Sequence, residues 1–229
     1  MRIESACLLT GRLEELKQFY TARLGLPLAE EEADAFAVAA GLSMLRFERC
    51  GEELQPYYHA AFHIAADRSG EAAGALAAAG IEPYRFPDGS HTMYSVSWHA
   101  ASVYYRDPAG NILELIAHEE GPWRNAAGTG PLGIASIAEI GLPVADVRGT
   151  AAELCEAFGL GAYRDDGDER FAAIGDAEGM LILSRTGRIW VGSDREARVF
   201  PAAVKLAGVR GAEWSASGMP YWVGAALSG

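Results

Sequence analysis

The chain has 229 residues, half of them hydrophobic and 22% charged, which is ordinary for a globular protein with a sizeable core. Its formal net charge of −12 argues against nucleic acid or an anionic membrane as a partner, because phosphate groups would be repelled. No apolar run approaches the roughly 20 residues that cross a bilayer, and the N-terminus has no signal-peptide pattern. The three cysteines form no CxxC pair, so we expect reduced thiols and a cytoplasmic protein.

The first 118 residues follow an order of strand and helix that occurs twice. The first unit is predicted to contain a strand over 3–10, a helix ended by Gly25, and strands near 34–40 and 43–49. The second is predicted to contain a strand over 57–66, a helix at about 70–79, and strands near 82–86, 101–106 and 112–117. Each unit therefore follows a βαβββ pattern.

The pattern returns after residues 119–134, which are rich in Gly and Pro and are interpreted as a linker. Gly25 and Gly159 each follow a predicted helix and lie 134 residues apart, which indicates an internal repeat. Strands are predicted over 200–207 and 219–225, with no good helix between them. We therefore predict an α+β fold of repeated βαβββ units: a complete two-unit domain over 1–118, and a partial domain over 135–229 with a third unit and a degenerate fourth.

Two sequences resemble motifs of the vicinal oxygen chelate superfamily: FYTARLGL at the end of the first helix, and DPAGNILEL over residues 107–115. This superfamily includes glyoxalase I, extradiol dioxygenases, fosfomycin-resistance transferases and bleomycin-binding proteins. The resemblance implies the glyoxalase/bleomycin resistance/dihydroxybiphenyl dioxygenase fold, in which two βαβββ units close one cup. Turn formers precede the last strand of the motif, and alternation along that strand places Glu114 on the face opposite Leu113 and Leu115.

Glu114 is the centre of the predicted site, because a buried carboxylate is costly unless it meets a cation or a hydrogen-bond donor. The resemblance implies that His59 and Glu114 bind a divalent metal ion such as Zn, Ni, Mn or Fe. Two positions depart from the family: Ser5 and Arg46 stand where metal ligands are common. The alternatives are an Arg46–Glu114 ion pair without function and a hydrogen-bonded His59 on the barrel wall.

Five polar residues are assigned to the substrate or to the reaction. Ser102 and Tyr104 stand at a spacing for which the resemblance implies contacts with substrate oxygens, and Arg46 would add a cation. His63 is expected on the same face of its strand as the histidine ligand, as a substrate-binding neighbour. Tyr104 and His99 are the catalytic candidates, which would orient the substrate or move a proton.

Three other titratable residues are expected to lie outside this site. His91 and His118 are expected in solvent. Glu139 follows Ser5 by 134 residues and so stands at the first ligand position of the third unit, where its own unit offers no partner ligands. We therefore expect no second metal centre made by this chain alone.

Two functions are open on these residues. The first is a glyoxalase- or dioxygenase-like enzyme whose metal binds two vicinal oxygens of a small substrate. The second is a metal-free binding protein for a drug or metabolite, of the bleomycin-resistance type, which Ser5 and Arg46 favour. Because the third unit has no complete partner unit, its sheet edge would be exposed, and we expect a homodimer that covers it.

Overall fold

A computed structural model describes residues 1–51, 53–211, 213–215 and 218–226, leaving out the side chains at 165–166. Its strands and helices form four consecutive units, as the repeat predicts, and the α+β fold of βαβββ units is confirmed. In the described part of the chain, the fourth unit contains strands and no helix. Within the same residues, no helix is long and apolar enough to cross a membrane.

The first two units have the following elements. Unit one consists of β1 (Arg2–Thr10), α1 (Leu13–Gln18, continued by a π-helical turn over Phe19–Arg23), β2 (Leu28–Glu32), β3 (Ala35–Ala40) and β4 (Ser43–Arg49). Unit two consists of β5 (His59–His63), a 3-10 turn over Ala66–Arg68, α2 (Ala72–Ala78), β6 (Met93–Ser95), β7 (Ala100–Arg106) and β8 (Ile112–His118). The strand expected near 82–86 is wrong, since that stretch forms only a bridge from Pro83 to Tyr105.

The last two units differ in completeness. Unit three consists of β9 (Ser136–Val144), α3 (Val147–Phe158), β10 (Ala162–Gly167), β11 (Phe171–Asp176) and β12 (Gly179–Arg185). Unit four consists of β13 (Ala202–Ala207), β14 (Glu213–Ser215) and β15 (Tyr221–Ala225). Helix α3 has defined ends, because the Asp146 carboxylate accepts a hydrogen bond from the Gly149 amide and Gly159 adopts the left-handed conformation that glycine favours.

The four units combine into two sheets, in pairs that differ from the expected ones. Sheet A has the strand order β14-β15-β13-β1-β4-β3-β2 and joins units one and four through antiparallel β1 and β13. Sheet B has the order β10-β11-β12-β9-β5-β8-β7-β6 and joins units two and three through antiparallel β5 and β9. The expectation that units one and two close a cup within residues 1–118 is therefore wrong. The third unit is paired within the chain, which removes the reason for expecting a homodimer, and the homodimer stays a prediction.

The connection over residues 119–134 explains this pairing, because it is packed against the fold. Its Trp123 is buried and stacks on the His63 ring, with ring centroids 5.1 Å apart. Directly after it, the Ala135 carbonyl accepts a hydrogen bond of 2.8 Å from the Leu42 amide. A side chain at Gly41 would clash with that carbonyl, since an added Cβ would lie 1.9 Å from its oxygen. The Ala135 amide donates in turn to the His63 carbonyl at 2.9 Å, which holds the start of β9 beside the end of β5.

The two sheets share one large hydrophobic core, which also receives the buried faces of the helices. The Ser43 hydroxyl joins the sheets inside it: the hydroxyl donates to the Ile3 carbonyl and accepts from the Ile137 amide. A second, smaller cluster contains Ala61, Tyr104 and Trp190. Ala60 and Phe62 belong to the large core, so alternation along β5 places this second cluster on the other face of sheet B.

Candidate metal centre

The candidate site lies on that second face of sheet B, where three neighbouring strands present one row of residues. Ala61 on β5 stands opposite Glu114 on β8 and opposite Glu139 on β9. The methyl group of Ala61 leaves the space between the two glutamates open. His59 lies two residues before Ala61 and therefore points to the same face. The sheet register alone thus brings an imidazole and two carboxylates together.

These three side chains converge closely. The Nε2 atom of His59 lies 3.1 Å from Oε2 of Glu139 and 3.6 Å from Oε2 of Glu114. One potential ligand atom from each residue lies within 4.8 Å of the others. All three residues are at least 95% buried, with exposed fractions of 5% for His59 and 3% for each glutamate. In the described part of the chain, this is the one group of three or more His, Cys, Asp or Glu residues placed to hold a metal ion.

The electrostatics of the group favour a proton or a cation beside the two carboxylates. Burial, followed by the charge of Glu139, raises the pKa of Glu114 to about 8. Burial also raises the pKa of Glu139 to about 8. The Oε1 atom of Glu139 is buried without a hydrogen-bond partner. Two buried carboxylates whose oxygens lie within 4.8 Å of each other disfavour each other's charge unless a proton or a cation lies between them.

His59 is oriented so that one ring nitrogen is available to a ligand. Its Nδ1 atom lies 3.2 Å from the Ile112 carbonyl, which can only accept a hydrogen bond, so Nδ1 carries the proton. Nε2 then presents a lone pair towards the two glutamates. The ring stacks on Trp190 at 4.9 Å between centroids, which fixes its plane. Burial lowers the pKa of His59, so the imidazole is neutral, as metal binding requires.

The three residues form part of the wall of a cavity of about 170 Å³. Most of its remaining wall is apolar or aromatic: Met93, Trp98, Ala100, Tyr104, Ile116, Phe171, Ile182, Trp190 and Val191. Polar groups are contributed by Ser95, Ser102 and Arg188. A larger open cleft of about 620 Å³ lies elsewhere, near Phe19 and Tyr105. It contains none of the three converging side chains, so we place the chemistry in the smaller cavity.

Two of the predicted substrate-binding residues lie in this cavity. The Ser102 and Tyr104 side chains hydrogen-bond Glu114, and Tyr104 stands directly opposite Glu114 across β7 and β8. Burial, followed by the charge of Glu114, raises the pKa of Tyr104 well above its usual value. Tyr104 therefore presents a neutral hydroxyl that can donate a hydrogen bond.

Arg46 does not lie in this cavity, and the alternative of an ion pair between Arg46 and Glu114 is wrong. Its guanidinium on β4 of sheet A forms ion pairs of 2.9–3.1 Å with Glu30, Glu32 and Glu48. Glu30 and Glu32 lie on the edge strand β2 of sheet A, and Glu48 lies on β4 beside Arg46. Arg46 can be near a substrate only if units one and two share a cup, which they do not.

The predicted histidines other than His59 also lie outside the cavity wall. His63 shares the face of His59 but lies further along β5, where it is fully buried against Trp123 and His118. His118 is 2% exposed, so the expectation that it lies in solvent is wrong. His99 is partly exposed, and its Nδ1 lies 3.6 Å from Oε1 of Glu120. His91 lies near the surface, with Nδ1 2.9 Å from the Tyr84 carbonyl.

Three residues of the site were missed as such by sequence reasoning. The repeat offset of 134 residues placed Glu139 at the first ligand position of unit three. Its partner ligands come from unit two, and the sequence did not show that units two and three pair. Arg188 and Trp190 lie in the connection between β12 and β13, which has no counterpart in the repeat, so no sequence signal marks them.

The corresponding row of sheet A carries no ligands. Strands β1 and β13 of sheet A correspond to β9 and β5 of sheet B. Ser5 on β1 stands opposite Lys205 on β13, just as Glu139 stands opposite Ala61, and each pair lies next to a β-bulge. Lys205 is paired in turn with Gly224, which therefore takes the place of Glu114. Ala203 takes the place of His59, two residues before Lys205. Among the described residues, the fold's approximate repetition thus provides one metal-binding row and one without ligands.

Comparison with known proteins supports the fold. No protein-family model and no curated protein matches the sequence. The chain is similar to a structure from Bacillus subtilis subsp. subtilis str. 168 provisionally assigned as a dioxygenase, with a TM-score of 0.63 and 18% identity over 90% of this chain and 70% of that one. It is also similar to two point mutants of glyoxalase I from Zea mays. Each has a TM-score of 0.53, with 18% and 17% identity, covering 89% and 90% of this chain and 74% and 75% of theirs.

These likenesses extend over about nine-tenths of the chain and therefore include all four units. At this level of identity they establish the fold and not the activity. The protein has the vicinal oxygen chelate fold, as its helix and turn motifs predict.

Proposed function

We propose that this protein is a metal-dependent enzyme of the glyoxalase and dioxygenase type, which acts on a small substrate with two neighbouring oxygen atoms. The observation that carries the proposal is the convergence of His59, Glu114 and Glu139 in the wall of one cavity. One imidazole and two carboxylates match the mixed nitrogen and oxygen ligand sets that bind Mn, Fe, Zn or Ni. The unpaired Glu139 oxygen and the raised pKa values of both glutamates support a cation at this point.

The chemistry follows from the same residues. A divalent ion bound there would act as a Lewis acid on the two substrate oxygens. Three protein ligands leave coordination positions open for a substrate. Tyr104, kept neutral by its raised pKa, donates a hydrogen bond to a substrate oxygen beside Glu114, and Ser102 supports the same edge. The largely apolar and aromatic walls lower the local dielectric constant, which strengthens each of these polar interactions.

The alternative of a metal-free binding protein loses the two residues that favoured it. Ser5 and Arg46 both lie on sheet A, away from the cavity. The three ligand positions of the cavity are occupied by His59, Glu114 and Glu139, and all three side chains can bind a metal ion. We therefore propose the metal-dependent function and treat metal-free binding as an outcome of the test below.

The test is metal analysis of protein purified without chelators or affinity metals, followed by calorimetric titration with Mn, Fe, Zn and Ni salts. We expect one divalent ion per chain, because sheet A has no matching row of ligands. His59→Ala, Glu114→Gln and Glu139→Gln should each lower metal affinity by at least about 100-fold, since each removes a direct ligand.

Glu156→Gln provides a matched control, because Glu156 is an exposed glutamate on α3. It should leave metal affinity unchanged. A stoichiometric metal that persists in the His59→Ala/Glu139→Gln double variant would show that the ion lies elsewhere. Absence of any metal binding by the folded wild-type protein would leave the binding-protein alternative.

A further inference from the structure

The connection between β12 and β13, residues 186–201, forms one wall of the cavity. Backbone hydrogen bonds hold it in a hairpin-like turn: the Trp190 amide donates to the Arg195 carbonyl, and the Ala197 amide donates to the Arg188 carbonyl at 2.7 Å. The turn is seated tightly, because a Cβ added at Gly192 would lie 2.2 Å from Cγ of Tyr104. This wall is therefore built into the fold and has a defined position relative to the metal ligands.

Arg188 is the charged residue of this wall. It lines the cavity, is partly buried, and places its guanidinium 5.2 Å from the ring centroid of Phe171. No described residue forms an ion pair or a side-chain hydrogen bond with it. A partly buried guanidinium is normally paired with a carboxylate or phosphate. The missing partner of Arg188 is therefore a candidate for a ligand group.

The charges of the cavity favour an anionic ligand. A divalent ion would be balanced by Glu114 and Glu139, since His59 is neutral. Arg188 then leaves the cavity with one positive charge in excess. A substrate that carries one negative charge of its own would neutralise that excess, whereas a neutral substrate would leave the partly buried Arg188 unpaired.

The size of the cavity limits the ligand. Its volume of about 170 Å³ is close to that of an engineered apolar cavity of about 150 Å³ that holds benzene. It is smaller than the roughly 300–1,000 Å³ typical of pockets for drug-sized ligands. Trp98, Phe171 and Trp190 give it flat walls. A compound of about one substituted ring fits this space.

We propose that Arg188 binds a carboxylate of the substrate, and that the substrate is a small carboxylated compound with vicinal oxygens and about the size of one aromatic ring. The planar guanidinium can form two parallel hydrogen bonds with a carboxylate, which a point charge cannot do. This proposal rests on the proposed function for the vicinal oxygens, but the role of Arg188 in charge recognition can be tested separately.

The test compares binding of catechol with binding of its two ring-carboxylated isomers that keep the vicinal hydroxyls. Binding is measured by calorimetry and by tryptophan fluorescence, since Trp98 and Trp190 line the cavity. Both metal-loaded and metal-free protein are used. We expect at least one carboxylated isomer to bind about 10- to 100-fold more tightly than catechol, as expected for a charge-assisted hydrogen bond. Arg188→Gln should remove that preference by weakening binding of the carboxylated isomer more than binding of catechol, and Arg188→Lys should restore part of it.

Arg185→Gln is the matched control, because Arg185 is an exposed arginine at the end of β12. It should keep the carboxylate preference. The proposal is overturned if neither isomer binds better than catechol, or if Arg188→Gln keeps the preference. Metal content separates the two proposals: a normal metal content without carboxylate preference defeats only this one, whereas a preference in protein that binds no metal defeats only the proposed function.

Discussion

The Nε2 atom of His59 lies 3.1 Å from Oε2 of Glu139, although the two residues are 80 positions apart and belong to different units. The contact exists because β5 and β9 are antiparallel neighbours at the centre of sheet B. Unit three therefore supplies the ligand that Ser5 of unit one would not provide. The site depends on the interface between units two and three, and changes at that interface should act on metal binding directly.

At that interface, a larger side chain in place of Ala61 would fill the space between the ligands. Ala61 is fully buried and stands between Glu114 and Glu139 in one row of the sheet. A leucine there would occupy the space in which the carboxylates converge. We expect Ala61→Leu to lower metal affinity by about 10- to 100-fold or more, and to cost about 1–3 kcal/mol of unfolding free energy through overpacking.

Ala61→Ser is the control for this prediction, because its side chain is nearly the same size. It should bind metal as the wild type does. Calorimetric metal titration and urea unfolding of both variants provide the measurements. Wild-type metal affinity in folded Ala61→Leu protein would mean that the space between the two glutamates is not the binding site.

Glu139→Gln should stabilise the metal-free protein at alkaline pH while it weakens metal binding. Burial raises the pKa of Glu139 from an ordinary 4.5 to about 8. A carboxyl with a raised pKa in the folded state contributes stability that is present below about pH 4.5 and is lost as the pH rises towards 8. Glutamine does not ionise and escapes this loss. At pH 8, with a chelator present, we expect the free energy of unfolding of the variant to be about 1–3 kcal/mol higher than that of the wild type.

Urea unfolding at pH 5 and pH 8 measures this effect, since the advantage of the variant should grow with pH. Saturating metal should reverse the order, because only the wild type gains the free energy of binding. Equal pH dependence of the two metal-free proteins would show that Glu139 is not held protonated by its surroundings.

Metal binding should release protons at neutral pH. Glu114 and Glu139 each have a pKa raised to about 8, so the metal-free site holds protons at pH 7. A bound divalent ion requires both carboxylates. We expect release of about one to two protons per metal at pH 7, and an apparent affinity that rises with pH until about pH 8. Calorimetry in buffers of different ionisation enthalpy counts the protons; a count of zero at pH 7 would contradict the assigned pKa values.

Much of the site could be predicted from the sequence because local rules place it. The turn Asp107–Asn111 is fixed by its residues: the Asp107 carboxylate accepts hydrogen bonds from the amides of Ala109 and Asn111. Alternation along the following strand then places Glu114 on the cavity face, opposite Tyr104. Strand, turn and alternation are properties of neighbouring residues, so a single sequence contains them.

The pairing of the units could not be predicted in the same way. The first strands of units one and three are similar in pattern, and either could pair with β5 as far as local sequence is concerned. The choice is made by contacts between distant residues, such as the Ala135 amide with the His63 carbonyl and the Trp123 ring with the His63 ring. Arg46 was misplaced for this reason, and Glu139 was left without partners. Arg188 lies in a connection outside the repeat, where no pattern indicates its position.

Acid should destabilise the protein through His118, which lies outside the metal site. Burial lowers the pKa of His118 from 6.5 to about 4. The unfolded chain therefore takes up a proton as the pH falls below about 6.5, whereas the folded protein does not until about pH 4, so stability is lost across this range. His118→Gln removes that loss. The unfolding free energy of the variant should gain about 1–2 kcal/mol relative to wild type between pH 7 and pH 5. The carboxylates of the metal site are common to both proteins, so their opposite pH dependence cancels in the difference.

His99→Gln, which alters a histidine with a 46% exposed side chain, is the control and should track the wild type. Urea unfolding at several pH values gives the result, and a constant difference between His118→Gln and the wild type would defeat the prediction.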